Sequence, residues 1–143
     1  MVEKEKIIIT WSFDEMSSST IMADYDKNKN KILDKDEIIF MENDRFKGFS
    51  EFNFFMIMVE NGKEIPLKKY DKFDASFEKG RMTYIFEIQK PKSKTYEMHF
   101  FDPEMYVALI LNKKDIKCYS GSSCKVEGYD ADFYYAYKVT VKE

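Results

Sequence analysis

Residues Asp26 to Glu37 read Asp-Lys-Asn-Lys-Asn-Lys-Ile-Leu-Asp-Lys-Asp-Glu, and this spacing leaves the chain around it little choice but a helix, a tight loop and a second helix. With Asp26 as position 1, Asn28, Asn30, the Ile32 carbonyl, Asp34 and Glu37 fall at positions 3, 5, 7, 9 and 12. All six offer oxygen, the donor a hard divalent cation requires, and a glutamate at position 12 can offer two. The pattern is that of an EF-hand calcium loop, with Leu33 expected to point inward. Shifting the register to start at Asp24 puts Lys35 at position 12, which removes the essential carboxylate.

Two features weaken the site. Lys31 stands at position 6, where the backbone turns with positive φ and glycine is usual; a side chain there costs about 1–2 kcal/mol. Lysines 27, 29, 31 and 35 oppose a dication, and only three of the ligands are carboxylates. The expected affinity is weak, roughly 10⁻⁵ to 10⁻³ M, suited to calcium-rich surroundings outside the cytosol. The competing reading is an Asp- and Asn-rich turn that holds no ion.

The flanks read as helices. Ser12 and Glu15 have capping-box spacing, and Phe13, Met16, Thr20 and Ile21 recur at helical intervals toward the loop. Asp34 and Glu37 have cap spacing too, so the same residues are expected to hold the ion and begin the exiting helix. Ile38, Met41, Arg45 or Phe46 and Phe49 mark its inward stripe, and Gly48 its end.

Elsewhere the period is two. Strands are expected over Lys6 to Trp11, Phe52 to Val59, Tyr70 to Glu78 and the run of Met82, Tyr84, Phe86 and Ile88. Others follow at Tyr96 to Phe100, Met105 to Leu111, Lys117 to Tyr119, Cys124 to Glu127 and Phe133 to Val141. Asn61-Gly62 and Lys79-Gly80 are hairpin turns, and Asp102-Pro103 is a further turn. An aromatic content of 17% suits β-rich packing better than a helical bundle. The expectation is one α+β domain over residues 1–143, an antiparallel β-sandwich of about seven to eight strands (6–11 and 50–143) with an EF-hand-like helix-loop-helix inserted at about 12–48.

A formal charge of -3, with lysines scattered among acids, implies neither nucleic acid nor an anionic membrane as partner. No window of about 18 apolar residues suggests a membrane-spanning helix, and no secretory leader is visible at the start. That start fits either a cytosolic protein or an exported one whose signal peptide and first strand lie ahead of this sequence. Cys118 and Cys124 frame a small polar loop and could close a disulfide in an oxidising compartment; the alternative is two unpaired, partly buried thiols.

Other chemistry finds little support. His99 shares a strand face with Glu97 and precedes Asp102, a thin basis for a second metal site of zinc or nickel type. One histidine and no Gly-x-Ser-x-Gly give nucleophilic catalysis nothing to work with, and the five glycines form no phosphate-cradling loop. The chain is expected to be non-enzymatic.

The segments Ile9-Thr10-Trp11-Ser12-Phe13-Asp14-Glu15 and Asp24-Tyr25-Asp26, together with Asp74-Ala75-Ser76-Phe77-Glu78, Phe101-Asp102-Pro103-Glu104-Met105-Tyr106-Val107-Ala108 and Cys124-Lys125-Val126, carry a resemblance over nearly the whole chain. The sequence resembles a bacterial family of unknown function described as the periplasmic component of an uncharacterised ABC-type transport system. The resemblance implies an exported protein that assists nickel, cobalt or zinc uptake beside a membrane permease. Mature members usually begin with a His-Pro-His segment and an extra strand, neither of which stands in this sequence.

Taken together, the expected function is a periplasmic calcium-binding accessory protein of a metal-ion transport system, with no direct membrane insertion. A calcium-responsive interaction module that uses the helix pair is the alternative. A direct nickel, cobalt or zinc carrier is the third reading.

Overall fold

The structure, a computed structural model, describes residues 1–67, 69–101, 110–131 and 134–143. The Asp102-Pro103 turn and residues 105–109 of the strand expected at 105–111 fall outside that description, and Ile110 and Leu111 are not in a strand. Among the described residues, eight strands form two antiparallel sheets, one of three strands and one of five, accompanied by two α-helices and short 3-10 segments, a mixed α+β fold. The chain divides into two compact units, one of Ile8–Gly48 and Tyr70–Ile88, the other of Met1–Ile7, Phe49–Lys69 and Gln89–Glu143.

The first unit carries the three-stranded sheet, in the order β1 (Lys6–Ser12), β5 (Arg81–Gln89), β4 (Asp71–Glu78), and both helices. β4 and β5 pair through a two-residue turn, with Glu78 opposite Arg81 and both Lys79 and Gly80 at positive φ. These are the backbone angles that match the right-handed twist of a hairpin. Met82, Tyr84, Phe86 and Ile88 alternate inward as their spacing predicts, and all four are buried.

Phe46 is the centre of this unit's core. Its ring lies 4.2 Å from Phe73, 4.8 Å from Tyr70, 5.0 Å from Phe86, 5.7 Å from Trp11 and 5.9 Å from Tyr84, between centroids. Most of these contacts are edge-on or tilted, the arrangements that the ring quadrupole favours.

Helix α1 (Glu15–Tyr25) does not start from Ser12, which ends β1 instead. The bonding to β5 carries the chain one residue further, with the Phe13 N–H donating to the Met82 carbonyl at 2.9 Å. Asp14 then caps the helix, its carboxylate accepting from the Ser17 N–H at 2.6 Å. Those bonds hold its pKa below the usual carboxylate range. Ser18, fully buried, accepts from the Met82 N–H at 2.7 Å and ties α1 to β5.

Helix α2 (Lys35–Asp44) begins with the capping box of Asp34 and Glu37. It stops at Asp44, not Gly48, because the chain tightens there into a 3-10 segment over Phe46–Phe55.

The second unit holds the five-stranded sheet in the order β3 (Lys63–Ile65), β2 (Met56–Glu60), β6 (Thr95–Phe100), β8 (Tyr134–Lys142), β7 (Ser123–Ala131). Asn61-Gly62 makes the β2–β3 turn, again with positive φ at both residues. One face is apolar, with Met58, Met98 and Val139 in register across β2, β6 and β8 and all buried. The facing residues Glu97, His99 and Lys138 are polar.

The strand expected from Phe52 is shorter, because Phe52–Phe55 ends the 3-10 segment and Asn53, Phe54 and Phe55 all take positive φ. Lys117–Tyr119 is likewise no strand. Cys118 makes an isolated bridge to Val2, whose N–H and carbonyl bond Lys117 and Tyr119. Cys118 and Cys124 are joined by a disulfide, their Cα atoms 6.3 Å apart.

Candidate metal centre

Asp26 ends α1 and Asp34 caps α2, so residues 27–33 are the loop between the helices. The loop is built by its own side chains. The Asn28 side-chain oxygen accepts from the Asn30 N–H at 3.2 Å, and the Asn30 oxygen from the Ile32 N–H at 3.0 Å. Each is the local turn that Asn favours, its amide standing in for a backbone carbonyl. Asp26 Oδ2 accepts from the Lys31 N–H at 2.9 Å, closing the loop across five residues.

Lys31 takes φ +62°, the conformation expected at the sixth position, and Lys29 takes φ +56°. Replacing Lys31 by glycine removes the steric penalty of a side chain in this region. It also removes one positive charge from the loop. Lys31→Gly is therefore expected to stabilise the protein by about 1 kcal/mol in denaturant unfolding and to bind calcium at least several-fold more tightly in a calorimetric titration.

Glu37 is only 4% exposed, the one buried carboxylate among the described residues. Oε2 accepts from the Lys27 N–H at 2.6 Å and Oε1 from the Asp34 N–H at 3.0 Å, while Asp34 Oδ1 accepts from the Glu37 N–H at 2.9 Å. A carboxylate has about four lone-pair sites, so each Glu37 oxygen keeps one acceptor site beyond these bonds. Asp26 Oδ1 is buried and has no hydrogen-bond partner among the described residues. A buried anionic oxygen left unpaired is costly unless something cationic meets it.

Of the six sequence-predicted ligands, Asn28, Asp34 and Glu37 line a single cleft of about 200 Å³ together with Lys27 and Asp36. Asp26, Asn30 and Ile32 belong to the loop backbone network and not to that cleft's lining. No group of three or more His, Cys, Asp or Glu side chains is gathered into a metal cluster among the described residues. The candidate donor set also includes two asparagines and a carbonyl.

Leu33 is half-buried and Ile32 is 66% exposed. The Lys27 ammonium lies over the Phe40 ring, 3.9 Å from its centroid, a cation–π contact that no local spacing signals. Asp36 in the cleft lining was also not singled out by the loop pattern.

Tyr25, at the end of α1, donates from its hydroxyl to Asp44 Oδ2, at the C-terminal end of α2, at 2.7 Å. Burial and then this bond push the Tyr25 pKa up to about 12. Because the folded value exceeds the unfolded one of 10.0, the neutral hydroxyl contributes its stability in full below about pH 10 and loses it as pH rises toward 12. Burial likewise pushes Tyr84 up to about 12, so it shares that window. Tyr25→Phe is expected to cost about 1 kcal/mol at neutral pH and to make the alkaline loss of stability shallower, as read by urea unfolding along a pH series.

His99 lies on β6 with both ring nitrogens engaged, Nε2 with Glu97 Oε2 at 3.0 Å and Nδ1 with the Tyr129 hydroxyl at 2.9 Å. The Asp102 expected beside it falls outside the described residues. Tyr129 comes from β7, 30 residues away, and nothing in the local sequence points to it.

The profile of a family described as protein of unknown function (DUF1007) matches residues 2–141. No curated protein and no solved structure matches the chain.

Proposed function

This chain belongs to the DUF1007 family, and from that premise we propose that it is a non-enzymatic calcium-binding accessory protein of a periplasmic metal-ion transport system, its EF-hand-like loop closing on the ion. Asp26, Asn28, Asn30, the Ile32 carbonyl, Asp34 and Glu37 are the ligands. Calcium held by them would supply fixed positive charge that offsets the loop carboxylates.

The observation that carries the reading is Asp26 Oδ1, an anionic oxygen buried without a partner among the described residues at the first position of a loop whose sixth residue already has φ +62°. The transport context rests on the sequence resemblance alone. The ion acts as a staple and not as an opener: the two helices are already tied without it by the Tyr25 hydroxyl at the end of α1 and Asp44 at the C-terminal end of α2. A direct transition-metal carrier through His99 is less favoured, since the neighbouring Glu97 and Tyr129 occupy both imidazole nitrogens. The test is a calorimetric titration at millimolar calcium on the natural chain and on Glu37→Gln. Heat from the first and none from the second is expected; no heat from either overturns the proposal.

A further inference from the structure

We propose that the calcium-loaded loop is also a docking tip for an anionic lipid surface, a reading that rests on calcium occupying the loop. Residues 26–37 contain four lysines and four acids, so the loop is neutral by itself and carries two net positive charges once it holds the dication. The two signs also face differently. Glu37 is buried and Asp26 half-buried with its Oδ1 turned away from water, which leaves Asp34 and Asp36 at the surface, whereas all four lysines are exposed.

Between Lys29 and Lys31 on one side and the second helix on the other, Ile32 leaves two thirds of its surface in water. Its N–H is bound to Asn30, so the position is fixed by the backbone while the side chain stays outside. A single aliphatic side chain beside two ammonium groups matches a surface that is anionic outside and apolar just beneath. Headgroup phosphates take the lysines and the acyl boundary takes the isoleucine. An acidic protein would meet the charge equally well, but it would have to supply a pocket for Ile32. The lipid surface is therefore the better match.

The pairing makes calcium an electrostatic switch: two added charges near an anionic surface strengthen binding by at least about 10-fold.

The test is co-sedimentation of the full chain with phosphatidylcholine vesicles, with and without phosphatidylglycerol, in millimolar calcium or in chelator. The calcium-induced rise in melting temperature is followed in parallel. Binding is expected only with phosphatidylglycerol, at least about 10-fold stronger in calcium. It should fall at least about 10-fold in Lys29→Glu, which reverses one exposed charge of the loop. Lys29 supplies none of the proposed ligand oxygens, so this variant should keep the calcium-induced melting shift.

A melting shift without vesicle binding overturns the docking proposal and leaves the calcium reading standing, while loss of the shift itself overturns the calcium reading. Vesicle binding that persists undiminished in Glu37→Gln means calcium acts on the lipid, and overturns the switch. Capture on immobilised polyglutamate without vesicle binding assigns the tip to an acidic protein and overturns the lipid assignment.

Discussion

Calcium at 100 times its dissociation constant should stabilise the protein by about 2.7 kcal/mol, the linkage expected for one site present only in the folded state. In a chain of this size that is a rise in melting temperature on the order of 10 °C. Glu37→Gln should abolish the rise. The substitution is informative because glutamine still serves at the third position of a capping box. The introduced amide retains an oxygen for the Asp34 N–H, and helix α2 keeps its start. What is lost is the second anionic oxygen, now accepting from Lys27 and required for two-point attachment to a cation. Magnesium should give a much smaller shift, since it demands a near-ideal octahedron and sheds water reluctantly. A melting curve unmoved by millimolar calcium would remove the staple and leave the loop as a turn held by its own amides.

Phe46→Ala should be the most damaging single substitution in the unit that carries the loop, at about 3–5 kcal/mol. Phe46 is fully buried, and five aromatic rings surround it within 6 Å between centroids. Rings held edge-on by one another cannot all shift into the space it vacates, so the loss is the transfer of the ring plus most of the cavity. Phe46→Leu, which refills part of the volume, should cost about 1–2 kcal/mol. Urea unfolding on both variants checks the order. Equal losses would mean that the site collapses freely and that the ring cluster does not organise this core. Because only Arg45 separates Phe46 from α2, Phe46→Ala should also weaken calcium binding, and Phe46→Leu should do so less.

Much of the local structure is legible in the order of residues because its causes lie within a few positions. Asn61-Gly62 and Lys79-Gly80 reverse the chain through backbone angles that these pairs tolerate. The alternation of Met82, Tyr84, Phe86 and Ile88 places each on one side of a pleat. Asp34 and Glu37 cap α2 through bonds three residues apart. The loop turns likewise follow from the asparagines at 28 and 30 and the bend at Lys31.

Only the tertiary structure decided where α1 begins, because the bond from Phe13 to Met82 belongs to a ladder with a partner far along the chain. The same holds for the early end of α2, for the left-handed run at Asn53 to Phe55, and for a five-stranded sheet whose order departs from that of the sequence. It also decided that the Lys27 ammonium rests on Phe40 and that His99 is held by Tyr129. Angles and caps are set by neighbours along the backbone. Partners across a sheet or a core are chosen by packing, and packing is a property of the whole folded chain.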